Sequence, residues 1–395
     1  MKSSKEIIDI IKSTIHYQGN DNVAIHEPFF VGTNAHEYIK DCLDTGWVSS
    51  SGKWVSKFEK LISEYTGCKY SIAVSNGTVA LRLALFLVGV RANHEVLIPP
   101  LTFVATANAV SHLGASPHFI DIDSDSLGMS PTALEKRLNE VAILKNGKVF
   151  NKFTENQISA VLPVHVFGLP AKIQEIKKIC DKWKLPLIED AAEALGSIIQ
   201  TTKSSIHCGC VGDIGTLSFN GNKIITTGGG GALLTNNKKF ASLAKHLSTT
   251  AKVNHPWNFH HDQIGWNDRL PNINAALGVS QIEILRQNLN KKRILHKKFF
   301  KAFQSFEDIE IIEEPKNTKS NYWLITMRIK GRNPELFKER ILNDSHNSNI
   351  FLRPSWKLLN ELPMYKKSST GDLSEAKNQS KRLINLPSSP QLLIN

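Results

Sequence analysis

Lys223 is the residue in this chain best suited to nucleophilic chemistry. It ends the run Ser218-Phe219-Asn220-Gly221-Asn222-Lys223. After four intervening residues come four consecutive glycines, Gly228 to Gly231. Gly215 to Phe219 reads as a short apolar strand, and Gly231 to Thr235 reads as another. The turn between them places one lysine beside backbone that can adopt any φ. A lysine held in this way can be aimed into a cleft, which suits an amine that forms a Schiff base with a carbonyl compound. The plain alternative is a surface lysine on a glycine-rich hairpin. Its partners elsewhere in the chain decide between the two.

Those partners sit where strands give way to helices. Tyr70 to Val74 is a β-branched strand. It runs through Ser75-Asn76-Gly77-Thr78 into the apolar helix Val79 to Val88. Free N–H groups and the helix dipole favour an anion at such a junction. A plain cap by Ser75 or Thr78 is the alternative. Glu95 to Ile98 is the next strand, stopped by Pro99-Pro100, and Phe103 lies at the following helix start, where an aromatic can stack on a planar ring. Ile158 to Pro163 leads to His165. Leu185 to Ile188 ends in Glu189-Asp190-Ala191-Ala192-Glu193. This alternation of short apolar strands with helices predicts an α/β fold with a mostly parallel sheet wrapped by helices. Ligands in such sheets bind at the carboxyl ends of strands. Ser75, Phe103, His165, Asp190 and Ser218 all fall at such ends.

The rest of the chain sets bounds. Its 395 residues, 41% hydrophobic and 21% charged, predict a large domain plus a smaller one in a soluble enzyme. The division is expected at 255/256, with an N-terminal segment and the large domain before it. After it come one long, possibly broken helix from Ile273 to Phe303 and a small C-terminal α+β domain. That domain includes a strand Tyr322 to Ile329 and a helix Pro334 to Leu342 capped by Asn333. Asn254 to Trp266 reads as a connecting or partner-facing loop. The amphipathic N-terminus lacks a signal-peptide apolar block, and no apolar run is long enough for a membrane, so a cytoplasmic protein is expected. Five scattered cysteines fit reduced thiols. Cys208-Gly209-Cys210 beside His207 reads as a flexible loop, with no metal site completed. The net charge of +12 is partly local, concentrated in Arg286, Lys291, Lys292, Arg293, Lys297, Lys298 and Lys301. On a helix this reads as a solvated face, which can also attract an anionic substrate. No nucleic-acid-binding signature accompanies it, so no nucleic-acid partner is expected.

Taken together and in order, these stretches resemble the DegT/DnrJ/StrS family of pyridoxal-phosphate sugar aminotransferases, of fold type I. The resemblance rests on Gly46-Trp47 with its polar loop, Ser75 to Thr78, Pro100 to Thr106, Glu189 to Glu193, Ser218-Phe219 with Lys223 and the glycines, and Gly265-Trp266-Asn267-Asp268-Arg269. It spans nearly the whole chain. It implies an aspartate-aminotransferase-like fold with a mostly parallel mixed sheet, and pyridoxal 5'-phosphate carried by Lys223, which also moves the proton. Asp190 would face the pyridine nitrogen. Gly77, Thr78 and Ser218 would hold the phosphate, and Phe103 would stack on the ring. Asn267 matches an asparagine that the neighbouring subunit supplies to the phosphate, which implies a homodimer with shared active sites. Glu193 stands where many members have Gln, near the ring hydroxyl. Trp47, Ser49, Asn220 and Arg353 are the expected substrate contacts.

The family acts on nucleotide-linked ketosugars, usually with glutamate as the donor. Arg353-Pro354-Ser355-Trp356-Lys357, Leu362-Pro363-Met364-Tyr365 and Asn385-Leu386-Pro387-Ser388-Ser389 resemble one branch of it. That branch aminates the 4-ketone of UDP-4-keto-6-deoxy-N-acetylglucosamine on the way to legionaminic acid or bacillosamine, in surface-polysaccharide or nonulosonic-acid biosynthesis. The alternatives are the same reaction on a GDP- or dTDP-linked sugar, or a non-catalytic regulator of the same fold. Dehydratases of this fold replace the lysine with histidine, and Lys223 argues against that reading.

Overall fold

A mixed sheet holds the strand ends together. Its strands are β1 (Tyr70–Val74), β2 (Glu95–Ile98), β3 (Ser116–Phe119), β4 (Gln157–Val161), β5 (Ile188–Asp190), β6 (Ile214–Ser218) and β7 (Gly231–Thr235). The structure is a computed structural model that describes residues 3–15, 17, 22–202 and 204–393. β3, β2 and β4 pair in parallel, as do β5 and β6. Parallel bridges Val161–Leu187 and Val164–Asp190 join β4 to β5. The order of these seven is therefore β3-β2-β4-β5-β6-β7-β1; among them only β7 runs against the rest, antiparallel to both β6 and β1, while the strand Lys148–Asn151 pairs antiparallel with the start of β4. β2 is buried along its whole length, as expected of a strand covered by helices on both faces. Its one charged residue, Glu95, is held by His118 at 2.7 Å and Asn151 at 3.0 Å.

Among the described residues three hydrophobic cores share the chain, one of them built from Ile72, Leu81, Val96 and Leu233 around β1, β2 and β7. The large-domain core takes in Phe58, Leu217 and Phe219, together with Ala275, Ala276 and Val279 from the helix Asn272–Glu283. The second core joins Ile7, Ile8 and Ile11 of the helix Ser4–Thr14 to Leu295, Phe299 and Phe303 of the helix Leu285–Phe303, and to Ile325, Met327 and Leu386. The expected long helix is thus broken at Ile284. After the break Leu285 and Leu289 still pack in the large-domain core, and the helix enters the second core from Leu295. The expected 255/256 division falls upstream of the break, and the first helix packs with the C-terminal part.

Several local expectations change. The strand expected from Tyr322 begins only at Ile325, because Tyr322 has φ 46° and turns the chain. Asn333 precedes the helix Pro334–Asn347 in a left-handed conformation and makes no side-chain cap. The basic helix face is not all solvated. Lys292 is fully buried, and Arg293 pairs with Glu314 at 2.6 Å. Among the described residues, no helix is long and apolar enough to cross a membrane.

Candidate active site

Close backbone approach makes the cavity. The helix Gly77–Leu87 starts against the ends of β6 and β7. A Cβ on Gly77 would lie 2.9 Å from the Ser218 Cβ, and one on Gly231 would lie 2.5 Å from the Asn76 carbonyl carbon. Neither position has room for a side chain. The helix is capped by Asn76, whose side chain accepts from the Val79 N–H at 2.9 Å, and not by Ser75 or Thr78. The Lys223 turn is pinned from both sides. Phe219 N–H donates to the Gly230 carbonyl at 2.8 Å, and Lys223 N–H donates to the Asn220 carbonyl at 3.0 Å. The result is a cavity of about 310 Å³ lined by Gly77, Thr78, Phe103, Asp190, Glu193, Ser218, Asn220 and Lys223, among others.

Three ionisable groups meet in it. Lys223 Nζ stands 3.4 Å from Oε1 of Glu193 and 3.9 Å from the centre of the Trp323 ring. The other Glu193 oxygen accepts from the Phe167 N–H at 2.8 Å. Burial raises the Glu193 carboxyl to about 7, against the opposing pull of Lys223. Asp190 ends β5. It accepts from Thr106 Oγ1 at 2.8 Å and from the Ala192 N–H at 3.2 Å. Burial raises its pKa too, opposed by these hydrogen bonds and by Lys223. Among the described residues no cation lies within ion-pair distance of Asp190.

Behind the cavity, Glu189 fixes the strand end. Its carboxylate accepts from the N–H groups of Gly209, Val211 and Gly212 at 2.8, 2.7 and 2.6 Å, and from His165 at 3.0 Å. The Cys208-Gly209-Cys210 stretch, expected to be a flexible loop, is wrapped on this buried carboxylate, and Cys208 is fully buried. His165 is a buried histidine of this cluster. Burial lowers its ring, but Cys208 and Glu189 outweigh burial and raise it to about 10.

Other expected site residues lie elsewhere. Trp47 and Ser49 occupy an exposed loop, where their carbonyls accept from Asn272 at 2.6 Å in each case. Asn267 is exposed and bridges Thr249. Arg353 is exposed on a short edge strand, although Trp356 three residues on does line the cavity. Sequence reasoning missed Thr106, Asn222 and Trp323. Thr106 carried a signal, since Thr102 and Thr106 are one helical turn apart and their hydroxyls lie 3.0 Å apart. Trp323 carried none, because it falls inside the expected strand Tyr322 to Ile329, whose first residues the positive φ of Tyr322 takes out of the sheet.

This donor set fits a phosphorylated pyridine carbonyl such as pyridoxal phosphate. The glycine-lined helix start suits an anion. A buried acid without a counter-cation suits a protonated ring nitrogen. A half-enclosed amine suits the carbonyl.

Comparison with known proteins gives the same picture. Residues 31–394 match the DegT/DnrJ/EryC1/StrS aminotransferase family. The chain is 35% identical over 373 residues to the putative pyridoxal phosphate-dependent aminotransferase EpsN of Bacillus subtilis, covering 93% of this chain and 90% of that one. It is 32% identical over 371 residues to GDP-perosamine synthase of Escherichia coli O157:H7, covering 94% of each. It is also 32% identical over 335 residues to the UDP-4-amino-4,6-dideoxy-N-acetyl-beta-L-altrosamine transaminase of Campylobacter jejuni, covering 83% of this chain and 81% of that one. A solved DegT DnrJ EryC1 StrS aminotransferase from Brucella abortus superposes with a TM-score of 0.80 at 27% identity, covering 90% of each chain.

Proposed function

We propose that this chain, which belongs to the DegT/DnrJ/EryC1/StrS aminotransferase family, uses pyridoxal phosphate to move an amino group from glutamate to the 4-keto carbon of UDP-4-keto-6-deoxy-N-acetylglucosamine. One observation carries the reading: Lys223, Asp190 and Glu193 converge on a single cavity beside a glycine-lined helix start. The cofactor supplies a carbonyl that takes up the amine and a ring that stores the electron pair freed at carbon. The chain supplies the rest. Gly77, Thr78 and Ser218 hold the phosphate at the helix N-terminus. Asp190, steadied by Thr106, holds a proton on the ring nitrogen. Phe103 covers one face. The amine of Lys223 takes the proton from the donor carbon and returns it one position away. Glu193, protonated below about 7, donates a hydrogen bond to the ring hydroxyl, as the amide of Gln would.

Trp47, Ser49, Asn267 and Arg353 do not line this cavity within one chain. We assign the first three to a site shared across a homodimer and Arg353 to the sugar-nucleotide entrance. The exposed apolar side chains Trp257, Phe259 and Ile264 support a partner surface in the same stretch as Asn267. A GDP-linked acceptor is the second reading, because the GDP-perosamine synthase relative matches a larger share of the chain than the UDP-sugar transaminase does.

Purified protein loaded with pyridoxal phosphate, given glutamate and UDP-, GDP- or dTDP-linked 4-keto-6-deoxy sugars, tests the substrate. An amino sugar from the UDP compound is expected. Product only from the GDP or dTDP compound overturns the acceptor. Borohydride should bleach the colour and fix the cofactor on Lys223, and Lys223→Ala should abolish turnover.

A further inference from the structure

Lys292 is a buried ionisable group for which the mechanism has no role. It lies in the helix Leu285–Phe303 and is fully buried. Among the described residues no carboxylate pairs with it. Its ammonium donates to the carbonyl of Trp323 at 3.1 Å and to the carbonyl of Ser388. Its ionisable neighbour is His26, also buried, whose two ring nitrogens have no hydrogen-bond partner. Burial pushes Lys292 well below its usual range. An unpaired buried amine is costly, and an apolar side chain of similar length would fill the space at lower cost.

What Lys292 touches leads to the active site. Trp323 presents its ring to Lys223 Nζ at 3.9 Å, and its Nε1–H donates to the Asn222 carbonyl at 2.7 Å, one residue before Lys223. The Trp323 N–H donates to Asn321, whose side-chain amide donates to the Glu193 carbonyl at 2.8 Å. The segment around Trp323 thus touches both members of the Lys223–Glu193 pair, and Lys292 ties that segment to the C-terminal run at Ser388.

We propose that Lys292 is a positioning residue for Lys223, acting through Trp323: its amine holds the Trp323 backbone so that the indole fixes the Asn222–Lys223 turn and covers the Lys223 amine. The inference rests on Lys223 being the reactive amine proposed above. The ionisable groups facing Lys223 are Asp190 at the end of β5, Glu193 from the segment after it and His26 from the N-terminal segment.

The test uses cofactor-loaded protein. Lys292→Met is expected to melt at or above the wild-type temperature. Its kcat should fall roughly tenfold with KM for donor and sugar unchanged. The pH at which the bound cofactor's visible absorption changes should move. Lys292→Gln, which keeps a donor for the two carbonyls, should recover most of both properties. Trp323→Phe keeps a ring but loses the Nε1–H and should reproduce the Met phenotype, and the double variant should be no worse than the worse single one. Wild-type kcat and titration in Lys292→Met overturn the proposal. So do fully additive losses in the double variant. Borohydride fixation on Lys223 in wild-type protein reports on the underlying reading alone, so the two failures are distinct.

Discussion

Lys223 Nζ and Glu193 Oε1 face each other at 3.4 Å, and the carboxylate side of this pair is almost entirely shut off from solvent. The carboxyl is raised from its ordinary value to about 7, first by burial. A raised acid is more often protonated in the folded chain than in the unfolded one. Its contribution to stability is therefore complete below about 4.5 and is lost as pH rises to about 7. Cofactor-free Glu193→Gln should lack this loss. The difference in unfolding free energy between wild type and variant should change by about 3 kcal/mol between pH 4 and pH 8. Denaturant melts at a series of pH values measure it. Parallel curves for the two proteins would mean that Glu193 titrates normally.

Gly77 tests the anion seat. The missing side chain is what lets the helix start abut Ser218. Gly77→Ala must displace either the helix N-terminus or the end of β6, an overpacking of about 1–3 kcal/mol. If the phosphate is held there, the cofactor Kd should rise by roughly ten- to a hundredfold while the fold survives. Absorbance titration of the cofactor-free protein reads this directly. An unchanged Kd would move the phosphate elsewhere.

How much of this was legible in the sequence follows from which interactions are local. The strand and helix runs around Ser75, Asp190 and Ser218 are short and periodic, and they fold as their patterns indicate. Lys223 was found because glycine punctuation is a local signal. The burial of Lys292 was not legible, since a lysine in a basic run looks the same whether it faces water or the carbonyls of Trp323 and Ser388, 31 and 96 residues away. The Cys208–Cys210 loop misled for a similar reason. Its order comes from the Glu189 carboxylate, about 20 residues earlier in the chain. The Ile284 break was not legible because both halves of the run have helical composition.

Glu189 gives a prediction about stability alone. It collects three backbone donors and His165 in a site closed to water. Burial raises its carboxyl, but His165 and the backbone N–H groups bring it below its ordinary range. Glu189→Ala leaves those donors and a raised His165 unpaired, which should cost about 3–5 kcal/mol. The carboxylate's share is lost as pH falls through its lowered value. The His165 share is present below 6.5 and lost as pH rises through about 10. Thermal melts of wild type and variant across pH check both limbs. A melting temperature unmoved by the substitution would remove Glu189 as the organiser of the loop.

Asp190 carries the most specific chemical prediction. Asp190→Asn keeps the size of the side chain and an acceptor for Thr106, so the cavity should survive. It removes the negative charge that, in the proposed function, would keep a proton on the ring nitrogen. Cofactor binding through Gly77, Thr78 and Ser218 should persist with a Kd within about tenfold of wild type, because the phosphate contacts do not involve Asp190. Turnover should fall about a thousandfold, roughly 4 kcal/mol of barrier, because the ring no longer stores the electron pair freed at carbon. Single-turnover kinetics with glutamate alone isolate the proton-transfer half of the reaction. They should show the full loss before any sugar is added. If Asp190→Asn instead lost cofactor affinity and kept its single-turnover rate once saturated, the acid would be a binding group only, and another residue would have to hold the ring proton.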